Sequence, residues 1–227
     1  MASPGWAGSI RETARLLQGV PDTDGDALPE SARPLIAELK HAMLNEVCCS
    51  LRASAGTQSV SDRVPQWIAS QIPHCDTSRC VRDSRYGCHD GVVIEVLPGE
   101  PQRLIVTVSV SVECGADSSV WLLERVPAGW RLITLWDPET LTERSQAWWV
   151  ERVVLGSPAS DGSRYAVAAG VEPQCSSAWH GLDYRVLRFG PGSPRATLAG
   201  RREVDGTSPE KGAFEILAAQ ATASAER

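Results

Sequence analysis

The chain has 227 residues, 42% of them hydrophobic and 22% charged, which is typical of a globular protein that buries a sizeable core. Its net charge of -6 argues against a function that depends on nucleic-acid phosphates, because phosphate binding requires a basic surface. No apolar run approaches the roughly 18 residues of a membrane span, so no transmembrane segment is predicted.

Two features bear on the compartment, and they conflict. The N-terminal sequence MASPGWAGSIRETARLL lacks a basic start followed by an apolar core, so no signal peptide is visible. Seven cysteines are more typical of an oxidising compartment, and their odd number leaves at least one thiol unpaired or shared with another chain. We favour an extracytoplasmic location over a cytoplasmic one.

Helical patterns define an N-terminal region at residues 1–73. Ser9 and Glu12 fit a capping box, in which each side chain satisfies the other residue's backbone N–H, so a first helix begins there. A second helix is predicted over residues 30–51 from apolar residues spaced three and four apart. A short third helix is an option at residues 63–71, which gives two or three N-terminal helices.

Acidic residues alternate in the stretch PDTDGDALPE, between the first two predicted helices. Asp22, Asp24 and Asp26 are spaced as at the beginning of a calcium loop. A standard loop has Gly at its sixth position and a bidentate Glu at its twelfth, where this chain has Ala27 and Arg33. Acidic residues before a helix also suit the positive end of its dipole. We interpret the stretch as a joint, with a calcium site as the alternative.

A Cys/His-rich connecting loop, HCDTSRCVRDSRYGCHD, follows at residues 74–90. It contains five side chains of the kinds that bind zinc: His74, Cys75, Cys80, Cys88 and His89. Only Cys75 and Cys80 approach the usual ligand spacing, so a local disulfide is favoured, with free thiols and zinc as alternatives. Cys48 or Cys49 of the second helix could also pair with a cysteine of this loop.

The hydrophobic period changes to two over residues 91–204, which predicts antiparallel β structure. Turn sequences beginning at Pro98 and Pro127 each join two predicted strands into a hairpin. Four further strands are predicted, as WWVERVVL, RYAVAAGV, LDYRVLRF and ATLAGRREV. Residues 205–227 are predicted to be a tail that is partly disordered. The predicted fold is therefore α+β and mainly β, with the N-terminal helices followed by an antiparallel eight-strand meander.

An internal repeat is suggested within this β region. RLIVTVSVSVEC and RYAVAAGVEPQC both begin with Arg and reach Cys at the same spacing, so the region divides into units 91–136 and 147–204. These would be two propeller-blade-like four-stranded units or the two sheets of a sandwich. Cys114 and Cys175 would lie at corresponding strand ends, and we predict a disulfide between them, with two buried thiols as the alternative.

Catalytic motifs are absent from the sequence: there is no nucleophile elbow, phosphate-binding loop, dinucleotide fingerprint or zinc-protease motif. A hydrolytic site could be assembled from His180 with Asp117 or Asp183 and with Ser118 as the nucleophile. Chains with several His and many Ser residues commonly yield such a set, so the hydrolase is kept as the alternative function.

Tryptophan is over-represented, with eight Trp against two Phe and three Tyr. Trp148 and Trp149 are adjacent on a predicted strand and therefore face opposite ways. Together with Trp179, they are candidates for binding a carbohydrate ring or a partner protein, and the alternative is that all of them fill cores. The sequence thus favours a non-catalytic binding or scaffold module, with association with the cell envelope as an option, and it implies no cofactor.

Overall fold

The chain forms two compact units, Met1–Ala147 and Trp148–Arg227. The computed structural model describes residues 10–21, 29–53, 56–72, 89–96, 102–112, 115–137, 149–156, 160, 162–171, 179–189 and 195–205. Within these ranges the helices are α1 (Ile10–Gln18), α2 (Ala32–Ala53) and α3 (Thr57–Gln71). The strands are β1 (His89–Val96), β2 (Arg103–Val112), β3 (Gly115–Val126), β4 (Gly129–Trp136), β5 (Trp149–Leu155), β6 (Arg164–Val171), β7 (Trp179–Phe189) and β8 (Arg195–Asp205).

The strands pair into two separate antiparallel sheets, in the orders β1-β2-β3-β4 and β5-β6-β7-β8. The predicted eight-strand meander is therefore wrong, because no backbone pairing joins β4 to β5 in the described residues. β4 ends at Trp136 and β5 begins at Trp149, so the segment between them is far longer than a hairpin loop of about two to five residues. Alternating apolar residues identify a strand, but they do not identify the strand with which it pairs.

Helices α1 and α2 follow the predicted apolar pattern. In α1, Ile10, Ala14 and Leu17 are buried on one face, and the Gly19 N–H donates to the Leu16 carbonyl at 3.1 Å as the helix ends. Along α2 the buried positions recur every three or four residues. They are Ala32, Ile36, Leu39, Lys40, Met43, Leu44, Val47 and Leu51.

Helix α3 is longer than the predicted third helix and begins at Thr57, after an extended Gly56 that provides no side-chain cap. Its buried residues Val60, Val64 and Ile68 lie four apart, so they form one stripe along the helix. Pro65 lies inside the helix, where it removes one backbone hydrogen bond. The buried stripe explains why the helix continues through a residue that usually begins or breaks one.

The helices cover one face of the first sheet. Alternate residues of β2 are buried there, as the period of two predicts, and β3 adds Trp121 and Leu123. These side chains share one hydrophobic core with the buried stripes of the three helices. The β2 members are Leu104, Val106, Val108, Val110 and Val112. The core therefore fixes α2 against β2 and β3.

The second unit contains β5 to β8, and the described residues of its core are aliphatic. Ala166, Ala168 and Ala169 of β6 are buried, as is Leu187 of β7. In the same unit the Arg188 guanidinium lies 5.9 Å from the centre of the Tyr165 ring, which is a cation–π contact. Among the described helices of the whole chain, none combines the length and apolarity that a membrane crossing requires.

Candidate functional site

A groove of about 590 Å³ opens between the end of α2 and the hairpin formed by β3 and β4. We call it the arginine groove, because two arginines dominate its lining. The residues that line it are Leu51, Arg52, Gln102, Arg125, Val126, Pro127, Gly129 and Trp130. All of them belong to the first unit.

The tight turn of the hairpin sets the geometry of the groove. Val126 pairs with Gly129, and Gly129 has a φ of 126°, which side chains other than glycine's rarely permit. One step further along the ladder, Arg125 pairs with Trp130, and the Arg125 guanidinium lies 5.8 Å from the indole centre. The Arg125 backbone N–H donates to the Gln102 carbonyl at 2.8 Å. The sheet backbone and the indole thus both hold Arg125 in place.

Helix α2 supplies the opposite wall. Leu51 is buried in the core and anchors the last turn, while the neighbouring Arg52 is exposed. A basic residue in a last turn suits the negative end of the helix dipole. The core thus fixes the backbone from which Arg52 extends into the groove.

The arginine groove is positively charged although the protein as a whole is acidic. None of the described residues that line it is an aspartate or a glutamate. Glu124 lies next to Arg125 in the chain, but its carboxylate accepts hydrogen bonds from Arg103 and Arg131. Arg52 and Arg125 have no salt bridge with any described residue. Two guanidinium groups therefore face the groove without a carboxylate from the described part of the chain.

A second group of polar residues lies between α2 and the first sheet. The Lys40 Nζ donates to the Asp117 Oδ1 at 2.7 Å, and both side chains are almost fully buried. Beside them the Ser119 hydroxyl donates to the Asp137 Oδ1 at 3.1 Å. The His41 Nε2 lies 3.9 Å from the other carboxylate oxygen of Asp137. Four of these five residues are buried, and His41 is the exception, with 43% of its side chain exposed.

The surroundings of Asp117 give it a structural role. Burial raises the pKa of Asp117, and the charge and hydrogen bond of Lys40 offset this only in part. The Ser118 hydroxyl lies on the other face of β3 and shares a 2.8 Å hydrogen bond with the Ser109 hydroxyl across the strands. Ser118 and Asp117, both named in the hydrolase alternative, therefore lie on opposite faces of one strand.

The remaining predicted site residues lie at the edge of the described structure or outside it. The backbone positions of His180 and Asp183 are in β7 of the second unit, whereas Asp117 is in the first. Trp149 is the first residue of β5 and Trp179 the first of β7, and their side chains are not described. Trp148 lies outside the described residues. The structure thus leaves these assignments as predictions.

The predicted metal sites fall almost entirely outside the described residues, since His89 begins β1 and only its backbone is described. The positions left out are Asp22, Asp24, Asp26, His74, Cys75, Cys80 and Cys88. In the described part of the chain, no three or more His, Cys, Asp or Glu side chains group in a way that could hold a metal ion. Both metal sites stay predictions.

The described cysteines form no disulfide. Cys48 and Cys49 are both free thiols, so the predicted pairing of one of them with the connecting loop is wrong. Both lie on α2, which packs against the first sheet. Cys114 and Cys175, between which a disulfide is predicted, lie outside the described residues.

The sequence interpretation missed the residues of the arginine groove, although one signal for them was present. The predicted hairpin at Pro127 already makes Arg125 and Trp130 neighbours across the strands. An arginine stacked on an indole beside a tight turn is a recognisable binding element. No comparable signal connects Arg52 to this hairpin, because their proximity depends on how α2 packs on the sheet.

The chain was compared with protein-family models, with curated proteins and with solved structures. None of the three comparisons finds a match. The function is therefore inferred from the geometry and charge of the described residues.

Proposed function

We propose that this protein is a non-catalytic binding module, and that the arginine groove binds a ligand carrying a carboxylate beside an apolar group. The observation that supports this most directly is the lining of the groove, where Arg52 and Arg125 face open space and no described lining residue carries a carboxylate. A guanidinium presents paired N–H donors that match the two oxygens of a carboxylate. A ligand carboxylate would supply the acceptors that the groove lacks.

The apolar part of the ligand is argued from Trp130. Its indole is half-buried and forms part of the groove, with Val126 and Pro127 beside it. Indoles bind flat apolar groups and sugar faces well because they offer a large rigid surface with few rotatable bonds. Arg125 already lies over this ring, so a bound carboxylate and a stacked group would be adjacent.

The same lining favours binding over hydrolysis. None of its described residues is a Ser, Cys, His, Asp or Glu, so none of their side chains could act as a nucleophile or a general base at neutral pH. In the alternative catalytic set, the Asp117 carboxylate is held by Lys40 in the core, with only 3% of the residue exposed. A carboxylate in that position is poorly placed to reach a substrate.

The test uses benzoate as the probe and benzyl alcohol as its uncharged counterpart, titrated into the full chain by calorimetry at low salt. We expect benzoate to bind more tightly than benzyl alcohol, and the double variant Arg52→Gln/Arg125→Gln to weaken benzoate binding about tenfold or more. Arg15→Gln is the matched control, because it removes one exposed positive charge from α1. It should leave benzoate binding unchanged.

Two results would overturn the proposal. One is equal affinity of the wild-type chain for benzoate and benzyl alcohol, since the guanidinium groups would then contribute nothing. The other is an equal loss of benzoate affinity in Arg15→Gln, which would show a general charge effect rather than a site. Thermal unfolding of each variant shows whether it has folded before its binding is interpreted.

A further inference from the structure

A second opening, of about 320 Å³, lies between α2 and α3, and we call it the interhelical cleft. Its α2 wall is formed by Glu46, Ser50 and Ala53, which are spaced four and three apart and so share one helix face. The α3 wall consists of Ser59, Val60, Arg63, Val64 and Trp67. No residue is shared with the lining of the arginine groove.

Side-chain size explains why the cleft is open. Ser50, Ala53 and Ser59 are small, so the helices leave space where larger residues would fill it. Val60 and Val64 are buried and form an apolar floor. The volume is near the lower end of the roughly 300–1,000 Å³ typical of ligand pockets, so the occupant should be a small molecule.

Trp67 gives the cleft an exposed aromatic surface. Its side chain belongs to the α3 wall, and the residue is 44% exposed, one of the few large hydrophobic residues of the described chain that face solvent. Such a surface can bind the apolar group of a ligand or stack against a positively charged one.

The two walls carry opposite charges. Glu46 contributes a carboxylate from α2, and Arg63 contributes a guanidinium from α3. Neither forms a salt bridge with the other or with any other described residue. The one hydrogen bond that the Glu46 carboxylate accepts from a described residue is long, at 3.4 Å, and comes from the Ser50 hydroxyl. The cleft therefore presents one negatively charged and one positively charged side chain, both available to a ligand.

We infer that the interhelical cleft binds a small zwitterion, namely a free α-amino acid with an apolar or aromatic side chain. Its ammonium group would pair with Glu46, its carboxylate with Arg63, and its side chain would contact Trp67. A ligand with only one of the two charges would leave one protein group without a partner, so a zwitterion is favoured over either single ion. This inference is independent of the arginine groove.

Three probes separate the contributions: phenylalanine has both charges, phenylalanine amide only the ammonium, and N-acetylphenylalanine only the carboxylate. Because a carboxylate could also enter the arginine groove, every titration is done in the Arg52→Gln/Arg125→Gln background. We expect phenylalanine to bind about tenfold more tightly than either single-charge probe. Failure of the arginine-groove proposal would not affect this result, so the two proposals can fail separately.

Substitutions on the two walls should act on different probes. Glu46→Gln should weaken phenylalanine and phenylalanine amide several-fold but leave N-acetylphenylalanine unchanged, whereas Arg63→Gln should weaken phenylalanine and N-acetylphenylalanine only. Trp67→Phe should retain most of the affinity, and Trp67→Ala should lose it. Glu30→Gln is the control, since it removes an exposed carboxylate outside the cleft.

The inference is wrong if the three probes bind with equal affinity, or if Glu46→Gln and Arg63→Gln each bind phenylalanine as well as the parent does. It is also wrong if Glu30→Gln reduces binding as much as Glu46→Gln does. Since Glu46 and Arg63 are at the surface of the helices, folded variants are expected, and circular dichroism confirms this for each one.

Discussion

The Lys40 Nζ lies 2.7 Å from the Asp117 Oδ1, and this ion pair joins α2 to β3 across 77 residues of sequence. The Lys40 side chain is 0% exposed and that of Asp117 is 5% exposed, so neither charge can be solvated if its partner is removed. A buried pair of this kind adds little net stability compared with apolar residues, but it becomes strongly unfavourable when one member is lost. Its larger effect is on which face of α2 meets the sheet.

Replacing Lys40 alone should therefore be damaging. We expect Lys40→Met to lower the free energy of unfolding at pH 7 by about 3–5 kcal/mol, because Asp117 would remain buried and unpaired. Lys40→Met/Asp117→Leu should recover most of that loss, since no buried charge of the pair remains. Urea unfolding of the parent, the two single variants and the double variant measures this coupling. Additive effects of the two single substitutions would contradict the prediction.

The pH dependence of the Lys40→Met defect follows from the pKa of Asp117, which burial raises above its ordinary value of 3.8. A carboxyl group with a raised folded-state pKa makes its full contribution to stability below pH 3.8, the ordinary pKa of the group. This contribution is lost as pH rises through the folded-state pKa. Loss of Lys40 raises that pKa further, because its charge and hydrogen bond lower it. The loss of unfolding free energy in Lys40→Met should therefore be small in acid and grow as pH rises. A loss that does not change with pH would refute this account.

Glu124 should show the opposite dependence on pH. Burial alone would raise the pKa of Glu124, but hydrogen bonds from Arg103 and Arg131 outweigh it and hold the pKa below its ordinary 4.5. The resulting stability is present above pH 4.5 and is lost as pH falls through the folded-state pKa. Glu124→Gln should lower the free energy of unfolding by about 1–3 kcal/mol at pH 7.

The measurement is urea unfolding of the parent and Glu124→Gln at a series of pH values, with Glu30→Gln as the exposed control. The difference between parent and Glu124→Gln should shrink as pH falls below 4.5, because the parent loses its charged partner for the two arginines. If the difference in unfolding free energy were as large in acid as at pH 7, it would come from the packing of the Glu124 side chain and not from its charge.

The strands and the first core were predictable because each depends on local sequence. The alternation along β2 places Val106, Val108 and Val110 on one face, and these residues are buried against the helices. The division into two sheets was not predictable from the same signal, because strand-forming sequence occurs on both sides of the segment between β4 and β5 and does not indicate which strands pair. In the chain, Cys114 falls between the second and third strands of the first sheet, and Cys175 between the second and third strands of the second sheet. Both cysteines lie outside the described residues, so the repeat stays a prediction.

The beginning of α3 shows a different limit of sequence reasoning. Pro65 is typical of a first helical turn, and the third helix was predicted only over residues 63–71. In the structure, burial of Val60 and Val64 extends the helix back to Thr57. Tertiary packing therefore overrides the local preference of proline, and the α3 wall of the interhelical cleft depends on that extension.

The two thiols of α2 should differ in reactivity. Burial raises the pKa of the Cys48 thiol, and the charge of Arg52 offsets this only in part, whereas the Cys49 side chain is exposed. Cys48 should thus have less thiolate and less access to reagent, so iodoacetamide at pH 7.5 should modify Cys49 at least several-fold faster. Fragmentation of the peptide HAMLNEVCCSLR by mass spectrometry distinguishes the two positions. Equal rates in the native protein would contradict the prediction, and equal rates in urea are the control.

The hairpin turn gives a last prediction, which tests how the arginine groove is built. A Cβ at position 129 would meet nothing within 4 Å, so the effect of Gly129→Ala would come from the backbone, whose φ of 126° disfavours alanine. We expect a loss of about 1–3 kcal/mol in the free energy of unfolding, together with weaker benzoate binding, because the turn positions both Arg125 and Trp130. Ala128→Ser, at the exposed neighbouring position, should change stability by less than about 0.5 kcal/mol. Gly129→Ala would contradict the prediction if it were as stable as Ala128→Ser, because the left-handed backbone would then not be required for the turn.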